Sequence, residues 1–563
     1  MRWVFPKQQS IPPYPGLSPF QSALLWRRGI KPDDAEAFIR SSIDDMHDSL
    51  LLKDAGKAAQ LIRQAIDNQT PITVYGDYDC DGVTGTALMV ESLRKLGAQV
   101  DWYINSRFVD GFGMHPNGVE EIARRGGTPR LIVSVDNGIS AVTAVRRAKE
   151  LGMQVVVTDH HEPGSELPPA DAIVNPRQAD CPYPYKSLAG VGVAFKVLQI
   201  LFKEAGCPRE LLRSLDLVAI GTVADVMPVT GENRIFIKNG LKLINWGERA
   251  RTGLRAIKEV AALHREVNAH YHLGFIFGPM LNATGRLDGV PETAVDLLLT
   301  LDYAQARALA MELKDVNQQR QEMTRRQTDK ATRLVNQRDS FIVVYDPEFH
   351  EGIVGLIASR LKEEYYRPVL ILTDSEDAGI LKGSVRSVKG FSVKEHLIDD
   401  CADLLTKGGG HEMAAGCSLP RENLPQLRER LNRAAGSVSP ELFTPFVEID
   451  YLLRPEDLDM VLIEEIERFA PYGVGCPRPN ILLAPFWPEQ VRFMGREGNH
   501  LRLSGGGVQV IGFNQAEEYR QAGIDGPLAI LGLPEINDYD GMIQFRMRDE
   551  GWQAYGEVFA ANQ

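Results

Sequence analysis

Val74-Tyr75-Gly76-Asp77-Tyr78-Asp79-Cys80-Asp81-Gly82-Val83-Thr84-Gly85-Thr86 decides how this chain is read. An apolar, β-rich run from Ile72 to Tyr75 leads into three alternating aspartates, and a helical pattern over Gly85–Leu96 follows. A strand that passes through a short loop into a helix is the opening step of an open α/β sheet, and ligands bind outside the carboxyl ends of such strands. Alternation can aim two or three of Asp77, Asp79 and Asp81 at one point. Gly82 and Gly85 are expected to let the backbone turn tightly. Carboxylates this close repel unless cations neutralise them.

The pattern repeats downstream. Strand-like runs at Val100–Ile104, Leu131–Val135 and Gln154–Thr158 alternate with helical stretches at Val119–Arg125 and Ala141–Leu151, which predicts a doubly wound parallel sheet. Leu131–Val135 delivers Asp136, and Gln154–Thr158 delivers Asp159-His160-His161. A further apolar run, Val218–Ala224, ends in Asp225. A single aspartate after a strand commonly caps the next helix. Several acids and paired histidines at successive element ends are not explained by capping. A calcium loop would need a bidentate Glu at its twelfth position, and counting from Asp77 that position is Leu88. Mixed Asp and His ligands suit Mn²⁺ or Mg²⁺ better than structural zinc.

Outward from this core, residues 1–55 read as a Pro-rich N-terminal arm packed on the first domain, and 56–300 as the α/β domain, mainly helical after 205. Residues 301–339 form a long connecting helix without Gly or Pro from Tyr303 to Gln337. Its Lys314–Arg333 stretch sets six basic residues against three acidic ones, the composition of a solvated helix or of a basic channel wall. A second α/β domain occupies 340–436. Five short strand patterns between Val491 and Met547 predict a small β-barrel over 443–560.

At 563 residues, with 44% hydrophobic and 24% charged residues, the chain is expected to fold into three or four soluble domains. No apolar run is long enough to span a bilayer and no signal peptide opens the sequence, so a cytoplasmic protein without a membrane partner is expected. The six cysteines form no CxxC pair and read as reduced thiols. A net charge of −13 excludes a wholly basic coat but not a local basic channel.

Asp159-His160-His161, taken with Asp77 to Gly82, Asp136 and Asp225, resembles the DHH phosphoesterases. Asn282-Ala283-Thr284-Gly285-Arg286, Gly383-Ser384-Val385-Arg386 and Gly408-Gly409-Gly410-His411-Glu412-Met413-Ala414-Ala415-Gly416 extend the resemblance over nearly the whole chain, the last two resembling the substrate-binding signature of the companion DHHA1 domain. It is closest to the branch of the family that degrades single-stranded DNA. The resemblance implies a DHH domain, a DHHA1 domain and a C-terminal oligonucleotide-binding (OB) barrel. It implies a 5′-to-3′ exonuclease that uses two Mn²⁺ or Mg²⁺ ions in DNA repair and recombination.

By position, Asp136 would bridge the ions, Asp79 with Asp77 would hold one, and Asp81, His160 and Asp225 the other. Asp159 would orient a histidine, and His161 would face a phosphate. Two ions about 3.5–4 Å apart would activate a water for in-line attack on phosphorus. Arg107, Arg286, Ser384, Arg386, Gly409, Gly410 and His411 would hold the strand. A monomer working with a helicase and a single-stranded-DNA-binding protein is implied. An oligonucleotide or cyclic-dinucleotide phosphodiesterase and a non-catalytic replication scaffold are the alternatives. Cys80 stands where a small inert residue is expected and, if exposed, would sensitise the site to oxidation.

Overall fold

The computed structural model describes residues 2–5, 11–105, 113–287, 291–537 and 541–560. The chain divides into two compact units, one of residues 46–227 and 235–444, the other of 1–45, 228–234 and 445–563. The residues read as one N-terminal arm are thus shared between the two units.

In the first unit the strands Val100–Ile104, Ile72–Gly76, Leu131–Val135, Gln154–Thr158 and Ala172–Val174 lie side by side in that order, all parallel. Numbered along the chain this order is 2-1-3-4-5, which reverses between Ile72–Gly76 and Leu131–Val135. A crevice opens at such a reversal. Register then does the aiming. Gly76 pairs with Val135 and Val135 with Thr158, so the three strands stop level and hand over to Asp77, Asp136 and Asp159 at one edge.

The run before Asp225 is not a strand. Leu215–Ala224 is a helix with eight of its ten residues buried, and Asp225 is its C-terminal cap. A helix that is apolar all round carries no periodic signature and reads like a buried strand. Gly82 and Gly85 likewise turn nothing, since both lie within the helix Cys80–Lys95. They permit close approach instead. A Cβ on Gly82 would lie 2.4 Å from the Asp77 carbonyl, and one on Gly85 2.5 Å from Val135 Cγ1.

The 32-residue helix Tyr303–Leu334 is not simply solvated. Ala306, Ala310, Leu313, Asn317, Thr324, Thr328 and Ala331 form a buried row along it. Its last turns join a core with Ile342, Val344, Ile353 and Ile357. Beyond it, Lys407–His411, Ala414–Pro420, Ile380–Arg386, Val369–Asp374 and Ile342–Tyr345 form a mixed sheet in that order.

In the second unit Arg2–Val4 pairs with Phe446–Glu448. Seven strands form the C-terminal sheet, two more than the sequence patterns suggested, with Tyr451–Leu453 and Ile481–Phe486 added. Arg234 is fully buried and donates to the carbonyls of Phe38, Phe469, Ala470 and Pro471, which fastens residues 228–234 into this unit.

One ion cluster ties together the helices behind the strand edge. The Arg251 guanidinium forks onto Asp216 (2.8 and 3.3 Å), reaches Glu91 at 2.8 Å and donates to the Leu298 carbonyl. Glu91 and Asp216 lie on the helices that carry Asp81 and end at Asp225. Removing one member leaves buried charge uncompensated, which typically costs about 3–5 kcal/mol. Arg251→Ala should therefore lower the thermal midpoint of this unit by several degrees. Arg251→Lys, without the fork, should fall between. An Arg251→Ala protein as heat-stable as wild type would contradict this view of the cluster.

Candidate metal centre and phosphate site

Each acid at the strand edge is held by the local chain. Asp79 is the N-cap of the Cys80–Lys95 helix, its Oδ1 accepting from the amides of Asp81 (3.0 Å) and Gly82 (3.1 Å). Asp81, in the first turn of that helix, accepts from the amides of Gly190 (2.6 Å) and Val191 (2.9 Å) at the start of the Gly190–Glu204 helix. Asp136 has left-handed backbone (φ +62°) and is followed by Asn137, whose amide donates to the carbonyls of Tyr75 and Val135. A non-glycine residue at positive φ is strained, and such strain collects at functional sites. Gly190 makes room for it, since a Cβ there would stand 2.5 Å from that of Asp136.

The side chains converge in three groups whose ligating atoms lie within 4.8 Å of one another: Asp77–Asp79–Asp136, Asp81–His160–Asp225 and Asp136–His160–His161. Asp136 belongs to two of them. His160 Nε2 lies 3.1 Å from Asp136 Oδ1, 3.5 Å from Asp225 Oδ2 and 3.9 Å from Asp81 Oδ2. Asp159 is occupied differently. Its oxygens accept from the amides of Ile139, His160 and His161 and meet His161 Nδ1 at 2.8 Å, so the histidine it orients is His161.

The electrostatics of the cluster are unfavourable as it stands. Asp81, Asp136 and Asp159 are at most 2% exposed, and among the described residues no lysine or arginine forms an ion pair with Asp77, Asp79, Asp81, Asp136 or Asp225. Burial, then the Asp79 charge, pushes the Asp77 and Asp81 carboxyls up to about 7. Burial and the neighbouring acids raise Asp136 and Asp225 well above the usual range. Burial lowers His160 to about 3, leaving it neutral and fit to ligate. His161 keeps half its side chain exposed. Partial burial opposes its charge, but the Asp159 hydrogen bond and charge outweigh it and raise it to about 9.

Asp77 Oδ1, Asp136 Oδ1, Asp225 Oδ2 and His160 Nε2 are buried without hydrogen-bond partners. Unsatisfied, mutually repelling oxygens beside a neutral imidazole are what a hard divalent cation satisfies, so the donor set fits Mn²⁺ or Mg²⁺. Cys80 is buried, and burial with the charges of Asp79, Asp81 and Asp225 pushes its thiol well up, so the exposure that oxidation needs is lacking.

A path of contacts leads from this loop to the second α/β sheet. Asn282 Oδ1 accepts from the Cys80 amide, and a Cβ on Gly285 would meet Tyr78 at 2.6 Å. A Cβ on Gly352 would strike the Arg286 carbonyl at 1.9 Å, and one on Gly355 would lie 3.0 Å from Arg386 Nη2 and 3.2 Å from Ser384 Oγ. Arg386 donates to Ser384 Oγ at 2.8 Å. Ser384, Gly416 and Gly409 share one cross-strand row, and Arg386, Ala414 and His411 another. Gly410 lies on the same exposed edge strand.

Arg286 has close company in Arg386 and Arg320, both within stretches picked out from the sequence, and in Arg360, which was not. Burial, then Arg286 and Arg360, lowers Arg320 to about 10, and burial, then Arg286, lowers Arg386. Four guanidiniums thus crowd one region, as the acids do in the other. Arg107 lies outside the described residues. Gly190, Gly352 and Gly355 were also missed, although each stands at the start of a helical pattern next to another glycine or an apolar run.

The chain matches the DHH family, N-terminal domain, over residues 71–222, the DHHA1 domain over 338–437 and the RecJ OB domain over 449–549. It is 39% identical to the single-stranded-DNA-specific exonuclease RecJ of Bacillus subtilis (strain 168), covering 96% of this chain and 69% of the relative. Two solved structures of RecJ from Thermus thermophilus resemble it. The one in complex with Mn²⁺ has a TM-score of 0.82 at 32% identity, covering 98% of this chain and 79% of that one. The one in complex with Mg²⁺ has a TM-score of 0.76 at 30% identity, covering 98% and 78%. With the strand-edge acids, the paired histidines and all three domains accounted for, the chain belongs to the RecJ family of single-stranded-DNA-specific exonucleases.

Proposed function

We propose that this protein is a Mn²⁺- or Mg²⁺-dependent exonuclease that degrades single-stranded DNA from its 5′ end. The observation that carries the reading is the convergence of three ligand groups on Asp136, with their buried oxygens unsatisfied. Asp77, Asp79 and Asp136 would hold one cation, and Asp81, His160 and Asp225, with Asp136, the other. When bound, the cations acidify a water and neutralise the phosphate oxygens. Asp159 fixes the ring of His161, whose protonated form faces the scissile phosphate. Arg286, Ser384 and Arg386, with Arg107, grip the terminal phosphate through charge-assisted hydrogen bonds. Gly409, Gly410 and His411 line the path of the strand, and the OB domain binds its distal part.

A role in repair and recombination, with a helicase to open duplex and a single-stranded-DNA-binding protein on the product strand, follows from this chemistry. Digestion of oligonucleotides labelled at either end, with Mn²⁺ or Mg²⁺, tests the reading. Label released first from the 5′ end supports it, and intact strands or release from the 3′ end overturn it.

Asp136→Asn keeps a residue that tolerates left-handed backbone but removes the charge common to two ligand groups. Hydrolysis should drop to background with an unchanged circular dichroism spectrum. Appreciable activity would mean that Asp136 is not shared.

The raised carboxyls also set a pH dependence. Between about pH 4 and pH 7 the native metal-free protein holds protons that the unfolded chain has released. The contribution of these carboxyls to stability is therefore greatest in acid and is lost as pH rises from about 4 through about 7. Metal replaces those protons, so the rise in thermal midpoint caused by Mn²⁺ should grow steadily from pH 5.5 to 8. An increment independent of pH would show that the acids do not bind the metal.

Arg386→Ala should remove one charged contact to the terminal phosphate, worth on the order of 1.5–3 kcal/mol, or about ten- to a hundredfold. The loss should appear in kcat/KM on 5′-phosphorylated strands and be small on 5′-hydroxyl strands. Equal losses on both would mean that Arg386 does not read the terminal phosphate.

A further inference from the structure

The nine-residue π-helix Ala269–Phe277 presents two large aromatic rings to solvent. Ala269, Leu273 and Phe277 are buried at every fourth position, close to the 4.4-residue turn of such a helix, and so form one inward row. Tyr271 and Phe275 share the opposite face, 55% and 68% exposed. Their rings are stacked, with centroids 5.9 Å apart and planes 28° from parallel. Asn268 accepts from the amides of Tyr271 and His272, so the end of the helix that carries Tyr271 is pinned.

The core does not need these rings, and their place in the fold is informative. The helix packs on Leu215–Ala224, the helix that ends at Asp225. A Cβ on Gly274 would lie 3.8 Å from Val223 Cγ1, and one on Gly278 3.0 Å from Ala224 Cβ. Val226, the residue after Asp225, is 64% exposed and has left-handed backbone (φ +60°), which is rare for a β-branched side chain. In the other direction the chain runs on through Gly278–Leu281 into Asn282–Arg286, which braces the metal-binding loop. The helix that bears the aromatic face is thus tied to the catalytic centre by its packing at Val223 and Ala224 and by the chain that continues into Asn282–Arg286. Burial, then the charge of the nearby Lys258, lowers the pKa of His272.

We propose that Tyr271 and Phe275 form a stacking step for the bases of the strand being degraded, adjoining the centre at Asp225. The proposal rests on the exonuclease reading above, which supplies a single strand whose unpaired bases need an apolar surface. Any base offers a π-face, so stacking grips the strand without reading its sequence. Leaving two large rings in water is otherwise unfavourable.

The test uses the full-length enzyme with Mn²⁺ and 20-nucleotide strands carrying a radiolabelled 5′-phosphate, scored by release of the first nucleotide. One abasic residue is walked along the strand. Wild type should slow at one or two abasic positions. Tyr271→Ala/Phe275→Ala should lose roughly fivefold or more in kcat/KM on intact strands, mainly through KM, and become indifferent to abasic residues at those positions. Its hydrolysis of a 5′-phosphorylated dinucleotide and its thermal midpoint should stay unchanged, and Phe275→Trp should restore tight binding. A double variant that matches wild type on long strands, or keeps the same abasic profile, overturns the stacking step. A variant that loses dinucleotide hydrolysis to the same extent assigns the rings a structural role and also overturns it. A wild-type enzyme that releases no nucleotide refutes the exonuclease reading itself.

Discussion

Repulsion among buried carboxylates is the constraint around which the catalytic unit is built. Asp77, Asp79, Asp81, Asp136 and Asp225 converge with two histidines and no arginine or lysine among their described ion-pair partners. Folding alone has no reason to gather them. The level ends of three parallel strands, the cap at Asp79 and the amides of Gly190 and Val191 hold them together against their charge. Arg251, away from the ligands, anchors the helices that bear Asp81 and Asp225. The arrangement is pre-organised for cations, and the cost of assembling it is met when the chain folds rather than when substrate arrives.

A second concentration of charge, of opposite sign, lies on the DHHA1 side. Arg286, Arg320 and Arg386 depress or crowd one another, and Arg360 adds to Arg320. Like the acids, these crowded like charges repel one another, and a polyanion is the kind of ligand that would relieve them. The two clusters are linked by glycines that allow backbone and side chains to touch at Gly285, Gly352 and Gly355. Arg286 stands in the middle of that path, in a motif whose Asn282 end supports the metal loop. One segment thus serves both halves, so shifting it should disturb cation and phosphate binding together.

Legibility in the sequence followed the range of each cause. The parallel strands at 72, 100, 131 and 154 were readable because each is a short β-rich run ending in a chemically distinctive residue. Asp77, Asp79, Asp81, Asp136, His160 and Asp225 were readable because their types make little sense apart from a metal. The Leu215–Ala224 helix was misread because uniform burial erases the period that separates helix from strand. The buried row on Tyr303–Leu334 was hidden because, apart from Leu313, Ala, Thr and Asn provide it, and none of these announces a core. The strands Tyr451–Leu453 and Ile481–Phe486 were overlooked because the first has three residues and the second contains a proline.

What no local pattern could supply is contact between distant segments. Gly190 is 54 residues from Asp136 in sequence, yet its missing Cβ is what lets Asp136 sit where it does. Asn282 caps an amide two hundred residues earlier in the chain. The same limit explains why the net charge of −13 was a poor guide to substrate. A total averages over the acid cluster and the arginine cluster, which lie in different places. In the proposed reading, cations would neutralise the acids at the bond to be cut, while guanidiniums would take up the phosphate charge beside it. Recognition of a polyanion by an acidic protein is therefore no contradiction, because field and contact are settled within a few ångströms of the site, a distance shorter than the screening length of the surrounding solution.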